Sequence, residues 1–182
     1  APLHLGRAGH ELPVHAPARG PEARDAAGWT AAGMLSPVAE LETADEQVFR
    51  WGLRSLELWP ALLRDLPAPV ELREEGSLLL AHREDAGAAR RVMDLLARKA
   101  PPDHQARVLA PPELAELEPS LRALPHAWLL PREGRIHTVQ AMQALADAAT
   151  GTGWHWGSAV DGVGPGVLRT RAGHERLGRT FG

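Results

Sequence analysis

The sequence contains no cysteine and no tyrosine. Without cysteine, these residues form no disulfide, no thiolate metal site and no cysteine nucleophile. Without tyrosine, no phenol in the chain can act as an acid, a base or a substrate clamp. No apolar run approaches the roughly 18–20 residues of a membrane span, and no signal-peptide pattern opens the chain. We therefore expect a cytoplasmic protein without a membrane partner.

An excess of either charge is also missing. The chain has 20 Lys and Arg residues and 23 Asp and Glu residues, which gives a formal net charge of −3. Nucleic-acid-binding proteins usually carry a basic excess, so we expect no nucleic-acid partner. The 182 residues, 44% of them hydrophobic, suffice for one ordinary domain and part of another. Because the chain begins with Ala1 rather than Met, we expect either processing or a longer parent protein.

Apolar periodicity and turn residues predict a mixed α and β fold. Helices are predicted at residues 43–66, 85–98, 112–117 and 138–149, after a short first helix that ends at Gly9. Strands are predicted at residues 12–15, 70–73, 77–81, 126–130, 154–160 and 167–171.

Local signals set the details of these elements. Thr43 and Glu46 have the spacing of a capping box, Asp85 is placed to cap the next helix, and Thr138 the last one. Residues 70–81 read as a β-hairpin around Gly76. The inward face of the long helix is predicted to hold a set of large apolar residues: Val48, Trp51, Leu56, Trp59, Leu63 and Leu66.

The polar and glycine-rich signals are weak as evidence for a site. The nine histidines are scattered, and no pair has the i, i+4 spacing of a helical zinc site, so we predict no metal. The glycine-rich stretch 161–166 lies between two predicted strands, which favours a hairpin turn over a phosphate loop. Trp154 and Trp156 alternate on one strand face, where core packing is favoured over a base-stacking platform.

Residues 28–37, Gly-Trp-Thr-Ala-Ala-Gly-Met-Leu-Ser-Pro, are small, apolar and bracketed by glycine. A planar cofactor that carries phosphates needs backbone N–H groups at close range, and therefore small residues. Met34 would add a polarizable apolar contact. A tight structural loop would have the same composition, so both interpretations stand at this point.

The 28–37 segment resembles the corresponding loop of FAD-dependent amino-acid oxidases. More specifically, it resembles the glycine oxidases of thiamine biosynthesis, a branch of the D-amino-acid oxidase family. Further segments resemble this family in the same order along the chain: residues 53–60, 73–78, 116–119 and 131–136. The resemblance implies a doubly wound FAD-binding domain joined to a mixed-sheet substrate domain. It divides the chain into a partial FAD-binding domain at 1–66, a partial substrate domain at 67–136, and a return to the FAD-binding domain at 137–182.

The resemblance also implies a reaction and a set of contacts. An amine is oxidised, hydride passes to the flavin, the imine hydrolyses, and O2 reoxidises the flavin to give H2O2. Ser36 would lie on the substrate side of the flavin. The resemblance assigns no catalytic residue within the chain, and it implies a small amine or amino-acid substrate and a homo-oligomer. The residues implied in FAD contact are Ala27, Gly28, Ala31, Ala32, Gly33, Met34 and Val160.

Several family features are absent from these 182 residues. The family's G-x-G-x-x-G turn would precede residue 1, and Ala16 stands where an acidic residue is expected for the ribose hydroxyls. The family's carboxylate-binding Arg and its Tyr would follow residue 182, and residues 177–182 no longer resemble the family. We therefore expect a fragment from the middle of such an enzyme. The alternatives are an inactive remnant that acts as a packing or interaction module, and a non-flavin binding protein that shares the loop by chance.

Overall fold

The computed structural model describes residues 2–24, 26–171 and 173–176. Residues 177–182, where the resemblance to the family was expected to end, lie outside the described residues. The α-helices are α1 (Pro2–Arg7), α2 (Glu46–Arg64), α3 (Ala86–Lys99), α4 (Pro111–Leu117) and α5 (Thr138–Ala148). The first strands are β1 (Leu12–Ala16), β2 (Met34–Leu35), β3 (Leu72–Arg73), β4 (Ser77–Ala81), β5 (Arg107–Leu109) and β6 (His126–Leu130). The later strands are β7 (Gly134–Ile136), β8 (Thr152–Trp156), β9 (Val160–Gly164), β10 (Val167–Thr170) and β11 (Gly173–Arg176).

The predicted fold class is confirmed, and contacts group the described residues into two compact units. The first unit draws on Ala1–Ala31, Leu66–Pro69 and Thr138–Gly182, and the second on Ala32–Asp65 and Val70–His137. Residues 32–65 thus group with 70–137, whereas the family resemblance places them in a partial FAD-binding domain. No described helix is both long and apolar enough to cross a membrane.

The first unit contains a parallel pair of strands and an antiparallel meander. β1 pairs in parallel with β8, and β10 pairs with both β9 and β11. Gly9 ends the first helix with a φ of 84°, as predicted. The predicted hairpin after residue 160 is confirmed, although its turn is only Pro165 and Gly166 because β9 extends to Gly164. The predicted strand 154–160 is wrong, since Gly157 with a φ of 69° separates β8 from β9.

Side chains along β8 divide between the two faces of the strand. The indoles of Trp154 and Trp156 stack with ring centroids 5.1 Å apart, which confirms that they share a face. The ring of His155 stacks on His15 of β1, with centroids 4.4 Å apart. This alternation is the expected consequence of strand geometry.

The second unit contains two antiparallel three-stranded sheets, ordered β2-β7-β3 and β4-β6-β5. The predicted hairpin at residues 70–81 is wrong, because β3 pairs with β7 whereas β4 pairs with β6. Gly76, with a φ of 88°, turns the chain between the two sheets, and its N–H donates to the carbonyl oxygen of Glu133. The main core of this unit packs α3 against β4, β6 and the turn that precedes α2; it includes Val38, Leu41, Phe49, Met93, Leu96, Trp128 and Leu130.

The start and the inward face of α2 also differ from the prediction. Asp45, not Thr43, is the N-cap, and its carboxylate accepts from the N–H of Val48 at 2.9 Å. Thr43 instead ends a short 3-10 turn at Ala39–Glu42. Phe49 is the buried residue of α2, whereas Trp51, predicted to face inward, is 66% exposed. One turn after Phe49, Gly52 lies against the ring of Pro37, where a Cβ atom would be 2.8 Å from Cβ of Pro37.

Asp85 is the N-cap residue of α3, as predicted, but its side chain makes no capping hydrogen bond. The inward positions of α3 are only partly as predicted. Ala89 and Leu96 are buried, as expected, but Met93 is buried in place of Val92, which is half-buried.

The assignment of the α2 cap is testable. Asp45→Ala removes the acceptor for the N–H of Val48 and should lower the free energy of unfolding by about 1 kcal/mol. Thr43→Ala is the matched control and should change it by less than about 0.5 kcal/mol. Urea denaturation of both variants measures these values, and a larger loss for Thr43→Ala would contradict the assignment.

Candidate functional site

Residues 27–31 form an exposed bend in the first unit. Ala27–Trp29 is a 3-10 turn, and the N–H of Ala31 donates to the carbonyl oxygen of Ala27 at 3.0 Å. Ala27 and Ala31 are exposed, so one face of this bend offers backbone and methyl groups without a long side chain. Thr138 at the start of α5 donates its hydroxyl to the carbonyl oxygen of Ala31 at 3.3 Å.

Gly28 packs closely against the side chain of Met142 in this unit. A Cβ atom at residue 28 would lie 2.1 Å from the sulfur of Met142 on α5. The composition of the loop suggested that its small residues serve close approach by a cofactor. At Gly28 the missing side chain makes room for Met142, while the backbone of the residue stays half-buried.

Residues 32–36 lie in the second unit and are held by β7. Met34 and Leu35 pair with Arg135 and Gly134, and the carbonyl oxygen of Gly33 accepts from the N–H of Ile136 at 2.8 Å. Gly33 has a φ of 76°, a conformation that L residues rarely adopt. Ala32 is exposed and Met34 is 60% exposed.

These features fit a flat, partly apolar cofactor. A methyl group at Ala32, a glycine backbone at Gly33 and the thioether of Met34 form an accessible edge with little steric obstruction. Ser36 is placed differently, because its Oγ atom is buried and makes no hydrogen bond to the described residues. Val160, the other predicted contact, begins β9 in the first unit and is 41% exposed.

A row of charged side chains lies beside Met34 on the β2-β7-β3 sheet. Cross-strand pairing aligns Met34, Arg135 and Arg73. Glu71 accepts from Nε of Arg73 at 2.7 Å and from Nη2 of Arg135 at 3.0 Å. The hydrogen bond from Arg73, followed by the charge of Arg135, lowers the pKa of Glu71 below its ordinary value. The segments carrying Arg73 and Arg135 were identified by resemblance, but the pairing that unites them with Met34 is not visible in sequence.

The first unit also contains an apolar cavity of about 350 Å³. It lies between α5, the residues after β1 and the stacked indoles of β8, with Met142, Trp29 and Leu3 in its wall. The guanidinium of Arg24 lies 5.6 Å from the ring centre of Trp29. Among the described residues, no cluster of His, Asp and Glu could hold a metal ion.

The packing role of Gly28 predicts a coupled pair of substitutions. Gly28→Ala should lower the free energy of unfolding by about 1 kcal/mol, at the low end for overpacking, because the added methyl group meets the flexible end of the Met142 side chain. In the Gly28→Ala, Met142→Ala double variant the clash is gone, so the loss should be smaller than the sum of the single losses. Chemical denaturation of the four proteins measures the coupling, and strict additivity would show that the two residues do not meet.

The charge row predicts a shifted titration. Arg73→Met removes the main cause of the low pKa of Glu71, so that pKa should rise toward its ordinary value. The stability that Glu71 contributes is present above its unfolded-state pKa and is lost as the pH falls through the lowered folded-state pKa. NMR titration of the Glu71 carboxyl carbon measures the shift. Arg54→Met, which breaks the separate Arg54–Glu57 pair, is the control and should leave Glu71 unchanged.

Comparison with known proteins gives one family and a set of related structures. The model of the DAO family, described as FAD-dependent oxidoreductase, matches residues 3–180. Glycine oxidase from Geobacillus kaustophilus is similar, with 27% identity, a TM-score of 0.79, and coverage of 97% of this chain and 49% of that one. No curated protein matches the chain at a significant level.

Two further structures share the fold. Glycine oxidase from Bacillus cereus has 17% identity and a TM-score of 0.77, with 97% of this chain and 49% of that chain covered. Iminodiacetate oxidase from Chelativorans sp. BNC1 has 19% identity and a TM-score of 0.72, with 98% of this chain and 49% of that chain covered. The chain thus spans about half the length of these structures.

Proposed function

Because the chain belongs to the DAO family of FAD-dependent oxidoreductases, we propose that the protein oxidises glycine or a related small amine, with FAD as cofactor and O2 as acceptor. Two similar structures are named glycine oxidase and a third iminodiacetate oxidase. Glycine and iminodiacetate share an amine next to a CH2 group that bears a carboxylate. An amine of this class is therefore the substrate that the similarities favour.

The observation that carries the proposal is the exposed, small-residue edge that ends at Met34. Ala32 and Gly33 leave the backbone accessible there, and Met34, a residue that is 60% exposed, offers an apolar side chain. In the proposed complex, these three residues meet the flavin part of the cofactor.

The family resemblance also implies FAD contacts by residues of the first unit. Ala27, Gly28 and Ala31 would contact FAD through their backbone and methyl groups, and Val160 through the chain at the start of β9. Ser36 would lie on the substrate side of the flavin. When bound, FAD supplies the capacity to accept a hydride from the amine, and O2 then takes up the two electrons to give H2O2.

The same proposal covers the metabolic role, the location and the oligomeric state of the protein. The glycine oxidase branch that the sequence resembles serves thiamine biosynthesis, and we extend that role to this protein. We also propose a cytoplasmic location and a homo-oligomer, as the resemblance implies.

An absorbance spectrum tests cofactor binding directly. The protein is mixed with FAD and desalted, and visible flavin bands that stay with it are the expected result. Anaerobic addition of glycine should then bleach these bands, and admission of O2 should restore them and produce H2O2. A colourless protein would contradict the proposal and favour an inactive packing module, whereas bound flavin without glycine-dependent bleaching would exclude this substrate.

A substitution at Met34 tests the location of the cofactor. Met34→Glu places a carboxylate against the ring, where it would be desolvated, and should weaken FAD binding at least about tenfold. Val108 is 67% exposed in β5 of the same unit, so Val108→Glu is the matched control and should bind FAD as the unmodified protein does. Fluorescence titration gives both affinities, and equal FAD binding by the two variants would place the cofactor elsewhere.

A further inference from the structure

The carboxylate of Glu133 is buried, with only 1% of the residue exposed. Among residues 2–24, 26–171 and 173, it is the one charged residue that is buried. A buried carboxylate is unfavourable unless hydrogen-bond donors replace its lost water. The backbone and side-chain groups that donate to this carboxylate are therefore held in fixed positions around it.

The donors come from two separate elements. Oε1 accepts from the N–H of Ala39 at 2.8 Å, across 94 positions of sequence. Oε2 accepts a short hydrogen bond from the hydroxyl of Ser77, the first residue of β4. The backbone carbonyl of Glu133 accepts from the N–H of Gly76 at 2.9 Å. One residue thus joins a turn, a strand and the bend between the two sheets.

Ala39 begins the 3-10 turn Ala39–Glu42, and its preceding residue, Val38, offers no capping side chain. Glu133 supplies the missing acceptor from a distant part of the chain. At the other end of the turn, Nζ of Lys99 donates to the carbonyl oxygen of Leu41 at 2.9 Å. A negative group at the N–H end and a positive group at the carbonyl end are the favourable arrangement for a helical turn.

The same residue lies next to the proposed flavin contacts. Gly134 follows Glu133, begins β7 and pairs with Leu35. On the other side of the contact segment, the carbonyl oxygen of Ser36 accepts from the N–H of Glu40 at 3.1 Å. The segment 33–36 is therefore held by β7 on one side and by the turn on the other, and Glu133 connects these two supports.

We propose that Glu133 is a positioning residue for FAD: its carboxylate fixes the turn Ala39–Glu42 against β7 and β4, and thereby fixes Gly33, Met34 and Ser36 at the flavin. This proposal rests on the proposed function, because it takes these residues to contact FAD. Glu133 itself does not touch the cofactor in this account.

The two hydrogen bonds specify which substitutions should be tolerated. Glutamine at position 133 keeps an oxygen for the N–H of Ala39, and its amide can donate to the hydroxyl of Ser77, which accepts as well as donates. Glu133→Gln should therefore preserve the geometry. Removal of the hydroxyl in Glu133→Gln, Ser77→Ala leaves the amide without that partner, and Glu133→Ala removes both bonds.

The test compares FAD affinity and the visible circular dichroism of bound flavin, at a temperature where every variant is folded. Glu133→Ala and the Glu133→Gln, Ser77→Ala double variant should each bind FAD at least about tenfold more weakly and show altered flavin dichroism. Glu133→Gln should stay within about threefold of the unmodified protein and keep its dichroism. Leu114→Ala, at a residue that is 1% exposed in a separate apolar cluster, controls for a loss of stability alone.

Each outcome decides the proposal. Support requires weak FAD binding in the two disrupted variants, rescue in Glu133→Gln, and normal binding in a Leu114→Ala protein of equal or lower stability. Equal weakening in Leu114→Ala and Glu133→Ala would show that Glu133 serves folding alone and would overturn it. If Glu133→Ala does not fold, the comparison of Glu133→Gln with the double variant decides. If the unmodified protein binds no FAD, the proposed function is refuted, and so is the premise that Gly33, Met34 and Ser36 contact FAD.

Discussion

A buried carboxylate organises the second unit of this chain. The oxygens of Glu133 take hydrogen bonds from the Ala39 N–H and the Ser77 hydroxyl, so one side chain connects segments that sequence separates widely. The next residue is equally constrained, because a Cβ atom at Gly134 would lie 2.5 Å from the carbonyl oxygen of Arg73. Together these two positions bring β2 and β3 onto β7, and the edge that carries Met34 depends on that arrangement.

The sequence was sufficient to predict features that depend on residues close together in the chain. Gly9 ends the first helix, and the alternation of Trp154 and Trp156 places both indoles on one face, because backbone conformation and strand period are local properties. The sequence was insufficient where two residues could each cap the same helix, or where strands far apart in the chain pair with each other. Thr43 and Asp45 both have side chains that can cap a helix, but Thr43 ends the 3-10 turn Ala39–Glu42 and Asp45 is the N-cap of α2.

The candidate site follows the same rule. The accessible edge at Ala32, Gly33 and Met34 could be predicted, because small residues in a run limit what side chains can cover. Its supports could not be predicted, since the roles of Arg135 and Glu133 arise from strand pairing and burial across distant parts of the chain. Composition alone explained the small residue at Gly28 by close approach of a cofactor, whereas in the structure Gly28 packs against Met142.

In the proposed complex, residues 32–36 contact FAD and are supported by β7 and by the turn Ala39–Glu42. Hydrogen–deuterium exchange of the protein, measured with and without FAD, tests this arrangement most directly. Bound FAD should slow exchange in peptides that cover residues 32–36 and leave exchange unchanged in peptides that cover β5 and α4. Bound flavin that leaves exchange at residues 32–36 unaltered would contradict it.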